Sequence, residues 1–295
     1  MNNLLHTIKN IRTQHLLLRI QDWVMKPKTI TQSKPIILND ENVCSNPIFI
    51  IGIHRSGTSL LRRIINSHSN IACPPETFFM SYFCEMLHDK KTHEGLRGFG
   101  YLPGETNHQL RLWASRYHEA FRISEGKRRW ADKTPEYVDY AEQLFELYGE
   151  KSQYVLLTRH PFDIVYSLYE RGWNLITLHK DPLLNYITYV KRQLSKMKAF
   201  AKQYVDNTYL IRYEEMVVEP EKALSPLFEW LGESWENEVL SFHKKDHNYG
   251  TEDPIARRAK CFNPSLNNWK KLPEAQQKIL LSHQEDLLSF FGYQL

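Results

Sequence analysis

Hydrophobic positions along the chain fall into two kinds of pattern. Pro47-Ile-Phe-Ile-Ile-Gly-Ile53 is a continuous apolar, β-branched run, and predicts a strand buried on both faces of a parallel sheet. In His54–Asn66 the period changes: Leu60, Leu61, Ile64 and Ile65 form one helical stripe, so strand, loop and helix follow in order. The unit recurs. Gln153-Tyr-Val-Leu-Leu-Thr158 predicts a second buried strand, followed by Arg159-His-Pro-Phe-Asp163 and a helix to about Arg171. Amphipathic helices are predicted over Glu136–Tyr148, bounded by Pro135 and Gly149, over Asn185–Tyr204 and over Pro220–Leu231. Thr208–Tyr213 reads as a third short strand. Residues 80–130, rich in His, Lys, Arg and aromatics without a clean period, predict short helices and long loops of the kind that host substrate-specific surface. Strands alternating with helices imply right-handed crossovers and ligands at the carboxyl ends of the strands.

Composition narrows the class. With 42% hydrophobic residues and only 12 Gly in 295 residues, the chain is globular rather than disordered or low-complexity. Its 38 Lys+Arg against 34 Asp+Glu give a formal charge of +4, too near balance to suggest nucleic-acid binding. No apolar run approaches the roughly 18 residues that cross a bilayer. The N-terminus, cut by Lys9, Arg12, Arg19 and Asp22, reads as an amphipathic helix rather than a secretory signal. Cys44, Cys73, Cys84 and Cys261 form no C-x-x-C pair and no metal-ligand spacing, so reduced thiols in a cytoplasmic protein are expected. With no long linker and no internal repeat, residues 1–295 read as one domain with an N-terminal helical extension over 1–46.

Gly52-Ile-His-Arg-Ser-Gly57-Thr58-Ser59 has the glycine spacing of a phosphate loop, in which a turn feeding a helix aims free backbone N–H groups and the helix dipole at an anion. A nucleoside triphosphatase has lysine after the second glycine; here Thr58 stands there and the cation is Arg55. Without that lysine or an evident magnesium ligand, β- and γ-phosphate chemistry lacks its usual clamp. The plain alternative is a tight turn with Arg55 in a surface ion pair. Arg159 and Ser167 lie eight residues apart, across a loop and about two helical turns, and can converge on a second phosphate. The alternative there is an arginine capped by Asp163.

Together the two segments resemble the sulfotransferases that use 3′-phosphoadenosine 5′-phosphosulfate (PAPS), over about residues 47–235, and within them the branch of tyrosylprotein sulfotransferases and bacterial relatives. The resemblance implies an α/β, three-layer P-loop-like fold with a central parallel sheet flanked by helices. It further implies no metal and adenosine 3′,5′-bisphosphate as product. Arg55, Ser56, Gly57, Thr58 and Ser59 would hold the 5′-phosphosulfate, and Arg159 and Ser167 the 3′-phosphate. In Cys73-Pro-Pro-Glu76-Thr77 and Trp130-Ala-Asp-Lys133-Thr-Pro135, Glu76 sits where that branch has its base and Lys133 where it has a lysine near the sulfonate. In-line transfer needs a base and cations. The alternatives are a solvated loop glutamate and an Asp132–Lys133 surface pair. A histidine base, His88, His93, His108 or His118, stays open, and His54 lies within the loop itself.

Tyr213 matches a family tyrosine near the nucleotide, with a core aromatic as the alternative. Residues 243–271 match a C-terminal lid, with Arg257, Arg258 and Lys260 as 3′-phosphate candidates or as a solvated charged face. Arginines that read acidic peptides in the tyrosylprotein branch are replaced here by the apolar stretch Thr77–Phe83. Phe78, Phe79 and Tyr82 therefore suggest a hydrophobic small molecule, lipid or phenol as hydroxyl acceptor, unless they form a helix core. A tyrosine or glycan hydroxyl is the other acceptor; a kinase using magnesium-ATP and a noncatalytic nucleotide binder are the other functions.

Overall fold

The computed structural model describes residues 43–173, 175–247 and 250–295. The expected N-terminal helix lies outside the described residues, except for 43–46, which are not helical. Among the described residues five parallel strands form one sheet in the order β2-β3-β1-β4-β5. They are β1 (Ile48–Ile51), β2 (Ile71–Ala72), β3 (Arg129–Lys133), β4 (Gln153–Thr158) and β5 (Thr208–Arg212). The chain leaves β1 toward β2 and β3 on one side, then crosses to β4 and β5 on the other. That reversal opens a crevice at the carboxyl end of β1, where such sheets bind ligands.

Alternation along the strands explains the three layers. Phe49, Ile51, Tyr154 and Leu156 face one core, while Ile48, Ile50, Val155 and Leu157 face the other. Behind the second core lie α1 (Thr58–Ser67), α8 (Tyr213–Val218) and α9 (Pro220–Leu231). Against the first pack α2 (Met80–His88), α4 (Pro103–Ser124), α5 (Ala141–Tyr148), α6 (Pro161–Arg171) and α7 (Pro182–Gln203). All four residues of β1 are buried, and each side chain contributes roughly 1.5–3 kcal/mol through burial. Helix α3 (Lys90–Arg97) lies at the surface, and α10 (Pro254–Arg258), α11 (Glu274–Ser282) and α12 (Gln284–Leu288) complete the C-terminal part.

Three expectations are corrected. Residues 80–130 are mostly helical, and α4 runs for 22 residues. Its inward positions include Thr106, His118 and Glu119 beside Leu110 and Ala114, so polar side chains interrupt the apolar stripe. Glu119 is buried because it has partners, accepting from Trp130 Nε1 (2.7 Å) and from the Cys44 amide (2.7 Å), and His118 lies 3.1 Å from the Asp132 carboxylate. Strand β3 is fully buried although it reads Arg-Trp-Ala-Asp-Lys. Arg129 survives burial by donating to the carbonyls of Asn46 and Leu231. Finally, the helix expected from Glu136 begins as a 3-10 turn over Pro135–Asp139, and Tyr213 opens α8 instead of ending β5.

Candidate active site

The loop between β1 and α1 owes its shape to its two glycines. A Cβ on Gly52 would stand 2.6 Å from Thr58 Cγ2 and 3.0 Å from the Leu157 carbonyl. Gly57 has φ 98°, and a Cβ there would stand 2.5 Å from the Tyr213 ring. Ser56 closes the turn, its amide (3.0 Å) and hydroxyl (2.7 Å) both donating to the Ile53 carbonyl. Helix α1 then starts with no capping side chain and no acid in its first turn. Its free N–H groups and positive dipole end face the cleft, an arrangement that takes an anion.

That cleft has a volume of about 1190 Å³, and Arg55, Arg159, Arg171 and Ser167 line it together. Arg55 donates from Nε to Ser167 Oγ (3.0 Å) and pairs with Asp253, which also lies 3.7 Å from Arg171. Burial, then the charges of Arg171 and Arg159, lowers the Arg55 pKa to about 9, which leaves it charged at neutral pH. Arg159 is 6% exposed and is held by the carbonyls of Arg55 (2.9 Å) and Ser265 (2.6 Å). Its guanidinium also stacks 4.7 Å from the Tyr213 ring centroid, and its Nε is buried with no hydrogen-bond partner among the described residues. Tyr213 thus fills the space between Gly57 and Arg159. Asp163 pairs with Arg159 at 3.9 Å and also accepts from the amides of Asn267 (2.8 Å) and Trp269 (3.0 Å), fixing that segment on α6.

On the other side of the loop, Glu76 and Lys133 form an ion pair, and Lys133 also donates to Ser59 Oγ (3.2 Å). Lys133 ends β3, 1% exposed, with Ile50 of β1 beside it in register. Glu76 is fixed by its backbone amide, which donates to the Thr251 carbonyl (3.0 Å). Next to it, Thr77 donates to buried Asp132 (2.8 Å) and its amide donates to Thr134 Oγ1 (3.2 Å). Neither the solvated glutamate nor the Asp132–Lys133 surface pair is what folds.

Of the remaining expected residues, Phe78, Arg258, Lys260 and His54 line the cleft. Phe79 instead packs on Phe83, Tyr117 and His118, while Tyr82 is 66% exposed, because α2 turns those positions away. Arg257 points back, donating to the Gly250 carbonyl (2.7 Å). His88, His93, His108 and His118 do not line the cleft; His118 is buried 3.1 Å from Asp132. Arg171, Trp173, Glu136 and Asp253 line it without having been foreseen. Arg171 carried a signal, lying one helical turn beyond Ser167.

An all-parallel sheet, a phosphate loop without the lysine of nucleoside triphosphatases, and a carboxylate–ammonium pair beside it define a P-loop-like α/β fold with an anion-binding cleft. The chain belongs to the sulfotransferase family, whose model matches residues 47–237. It is 30% identical to nodulation protein NoeE of Sinorhizobium fredii over 129 residues, 41% of this chain and 30% of that protein. With protein-tyrosine sulfotransferase 1 of Danio rerio it shares 23% identity over 70% of this chain and 58% of that one. The chain therefore spans less than two thirds of these curated relatives. The sulfotransferase domain of the Synechococcus PCC 7002 olefin synthase shares the fold, with a TM-score of 0.62 and 22% identity over 89% of this chain and all of that domain. No helix among the described residues is long and apolar enough to cross a membrane.

Proposed function

We propose that this protein transfers the sulfonate of PAPS to a hydroxyl acceptor with an apolar body, by in-line displacement and without a metal. The observation that carries the reading is one cleft in which the α1 N-terminus, Arg55, Arg159 and Ser167 converge, with the Glu76–Lys133 pair beside the first turn of α1, where Lys133 donates to Ser59 Oγ. Arg55, Ser56, Gly57, Thr58 and Ser59 then hold the 5′-phosphosulfate. Arg159 and Ser167, with Arg258 and Lys260 from the C-terminal segment, hold the 3′-phosphate, and Tyr213 flanks the nucleotide.

In the transfer, the acceptor oxygen forms a bond to sulfur while the bridging S–O bond breaks and the bisphosphate leaves. The acceptor proton passes to the carboxylate of Glu76, the partner of Lys133. Lys133 and Arg55 neutralise charge on the sulfonate and on the bridging oxygen as it grows. The test is Glu76→Gln, which removes the base and keeps the shape. Transfer of labelled sulfonate from PAPS to a phenol panel should fall by about 100-fold or more, as loss of a general base does. Binding of adenosine 3′,5′-bisphosphate should persist. Full turnover in Glu76→Gln would end the assignment and make His54, the histidine in the cleft, the next candidate.

A further inference from the structure

Arg55 is paired with a carboxylate of its own chain, at the group that the proposed donor needs. Its backbone is left-handed, with φ 72°, its Nε donates to Ser167 Oγ (3.0 Å), and its carbonyl accepts from Arg159 (2.9 Å). A residue held in this way does not turn aside when a ligand arrives. Its ion-pair partner is Asp253, whose Oδ2 also lies 3.7 Å from Arg171. The two side chains of the Arg55–Asp253 pair are only 13% and 14% exposed, so solvent screens them little. Both guanidiniums also approach the Trp173 ring, at 5.6 Å for Arg55 and 5.7 Å for Arg171.

The other charges that line the cleft are placed differently. Glu76 is taken by Lys133, Glu252 by Arg62 and Arg63, and Glu136 lies 3.5 Å from His54. Glu170, Arg258 and Lys260 line the cleft as well. Among the described residues, the carboxylate that meets both Arg55 and Arg171 is that of Asp253. Its backbone is tethered beside the phosphate loop, because Glu252 is locked on α1 and the Thr251 carbonyl accepts from the Glu76 amide (3.0 Å). The carboxylate itself divides its work. Oδ1 accepts from the Ile255 amide (2.7 Å) and caps α10, while Oδ2 faces the arginines, so a small rotation gives up the arginines and keeps the cap.

Resting on the sulfotransferase reading above, we propose that Asp253 is a built-in competitor of the donor, an internal anion that holds Arg55 and Arg171 until the 5′-phosphosulfate displaces it. A tethered carboxylate acts at a high local concentration, which keeps dilute inorganic anions off the loop. A nucleotide gripped at its 3′-phosphate as well overcomes it. The apparent affinity of the loop for any anion is then its intrinsic affinity reduced by the fraction of time that Asp253 leaves Arg55.

The experiment uses Asp253→Asn, which removes the charge, and Asp253→Ser, which also removes the reach; both residues still cap a helix. Wild type and variants are titrated calorimetrically with inorganic pyrophosphate, which needs no nucleoside site, and with adenosine 3′,5′-bisphosphate. Both probes should bind each variant about tenfold or more tighter, the gain expected where the site is open a tenth of the time or less. The factor should be similar for the two probes, because one competitor is displaced whichever anion arrives. Unchanged or weaker binding of both probes, the response of a carboxylate that merely props Arg55, would overturn the proposal. So would binding of neither probe, or a gain confined to the bisphosphate. A gain for pyrophosphate in a protein that ignores the bisphosphate would uphold the competitor and remove the donor reading, so the two fail separately.

Discussion

Arg159 combines three features in one guanidinium: two backbone carbonyls fix its plane, Tyr213 stacks on its face, and its Nε is buried with no hydrogen-bond partner among the described residues. A side chain so fixed meets a phosphate without rotamer cost, and planar forked donors suit that partner. Arg159→Ala should therefore weaken bisphosphate binding by about 10- to 100-fold, the range of a lost charged hydrogen bond. Isothermal titration would measure it, and an unchanged affinity would place the 3′-phosphate elsewhere. Gly57, across the Tyr213 ring from Arg159, tests the phosphate loop itself. Gly57→Ala forces a side chain into a left-handed conformation and against Tyr213, at a cost of about 1–3 kcal/mol for the backbone alone. A lower Tm together with weaker bisphosphate binding is expected; a wild-type response in both would mean that the loop relaxes freely.

At the scale of elements, the C-terminal segment reaches the site because charges anchor it to α1. Glu252 is 9% exposed and takes two hydrogen bonds from Arg63, at 2.9 Å each, and one from Arg62. Arg62 also donates to the His247 carbonyl (3.2 Å). The His247 ring is locked neutral. Its Nε2 donates to the Phe242 carbonyl, and its Nδ1 faces the Asn66 amide nitrogen at 3.2 Å, an orientation fixed because Asn66 Oδ1 accepts from the Cys73 amide (2.8 Å). Burial, assisted by the charges of Arg62 and Arg63, lowers the His247 pKa to about 4 from an unfolded value of 6.5. The folded state thus binds the proton less well than the unfolded chain. Its contribution to stability is complete above 6.5 and is lost as the pH falls from 6.5 toward 4. Glu252, whose pKa is also depressed through Arg63 and Arg62 despite its burial, adds a loss at lower pH still. A Tm–pH series should slope downward across that window, and His247→Gln should flatten it. An equal slope in the variant would contradict the account.

For the whole molecule, what could be read in advance follows from where burial is apolar and where it is ionic. β1, β4, α1, α6 and α9 are apolar runs or stripes and are visible in the sequence as such. Strand β3 and helix α4 are hidden because Arg129, Asp132, Lys133, His118 and Glu119 are buried on partners that only the folded chain supplies. The site divides in the same way. Arg55, Arg159 and Lys133 follow or end strands, where residue type and position alone suggest a role. Asp253, which meets Arg55 across 198 residues of chain, and Glu136, which meets His54, depend on tertiary contacts that local spacing does not encode.

All of these features serve one claim, that the cleft grips a nucleotide by a 5′- and a 3′-phosphate. Calorimetric titration of the protein with adenosine 3′,5′-bisphosphate, beside ADP and magnesium-ATP, tests it most directly, because only the first carries the 3′-phosphate that Arg159 and Ser167 would hold. The account predicts tight binding of the bisphosphate, indifferent to magnesium, and weak binding of the other two. Preference for magnesium-ATP, or no binding of the bisphosphate, would contradict it.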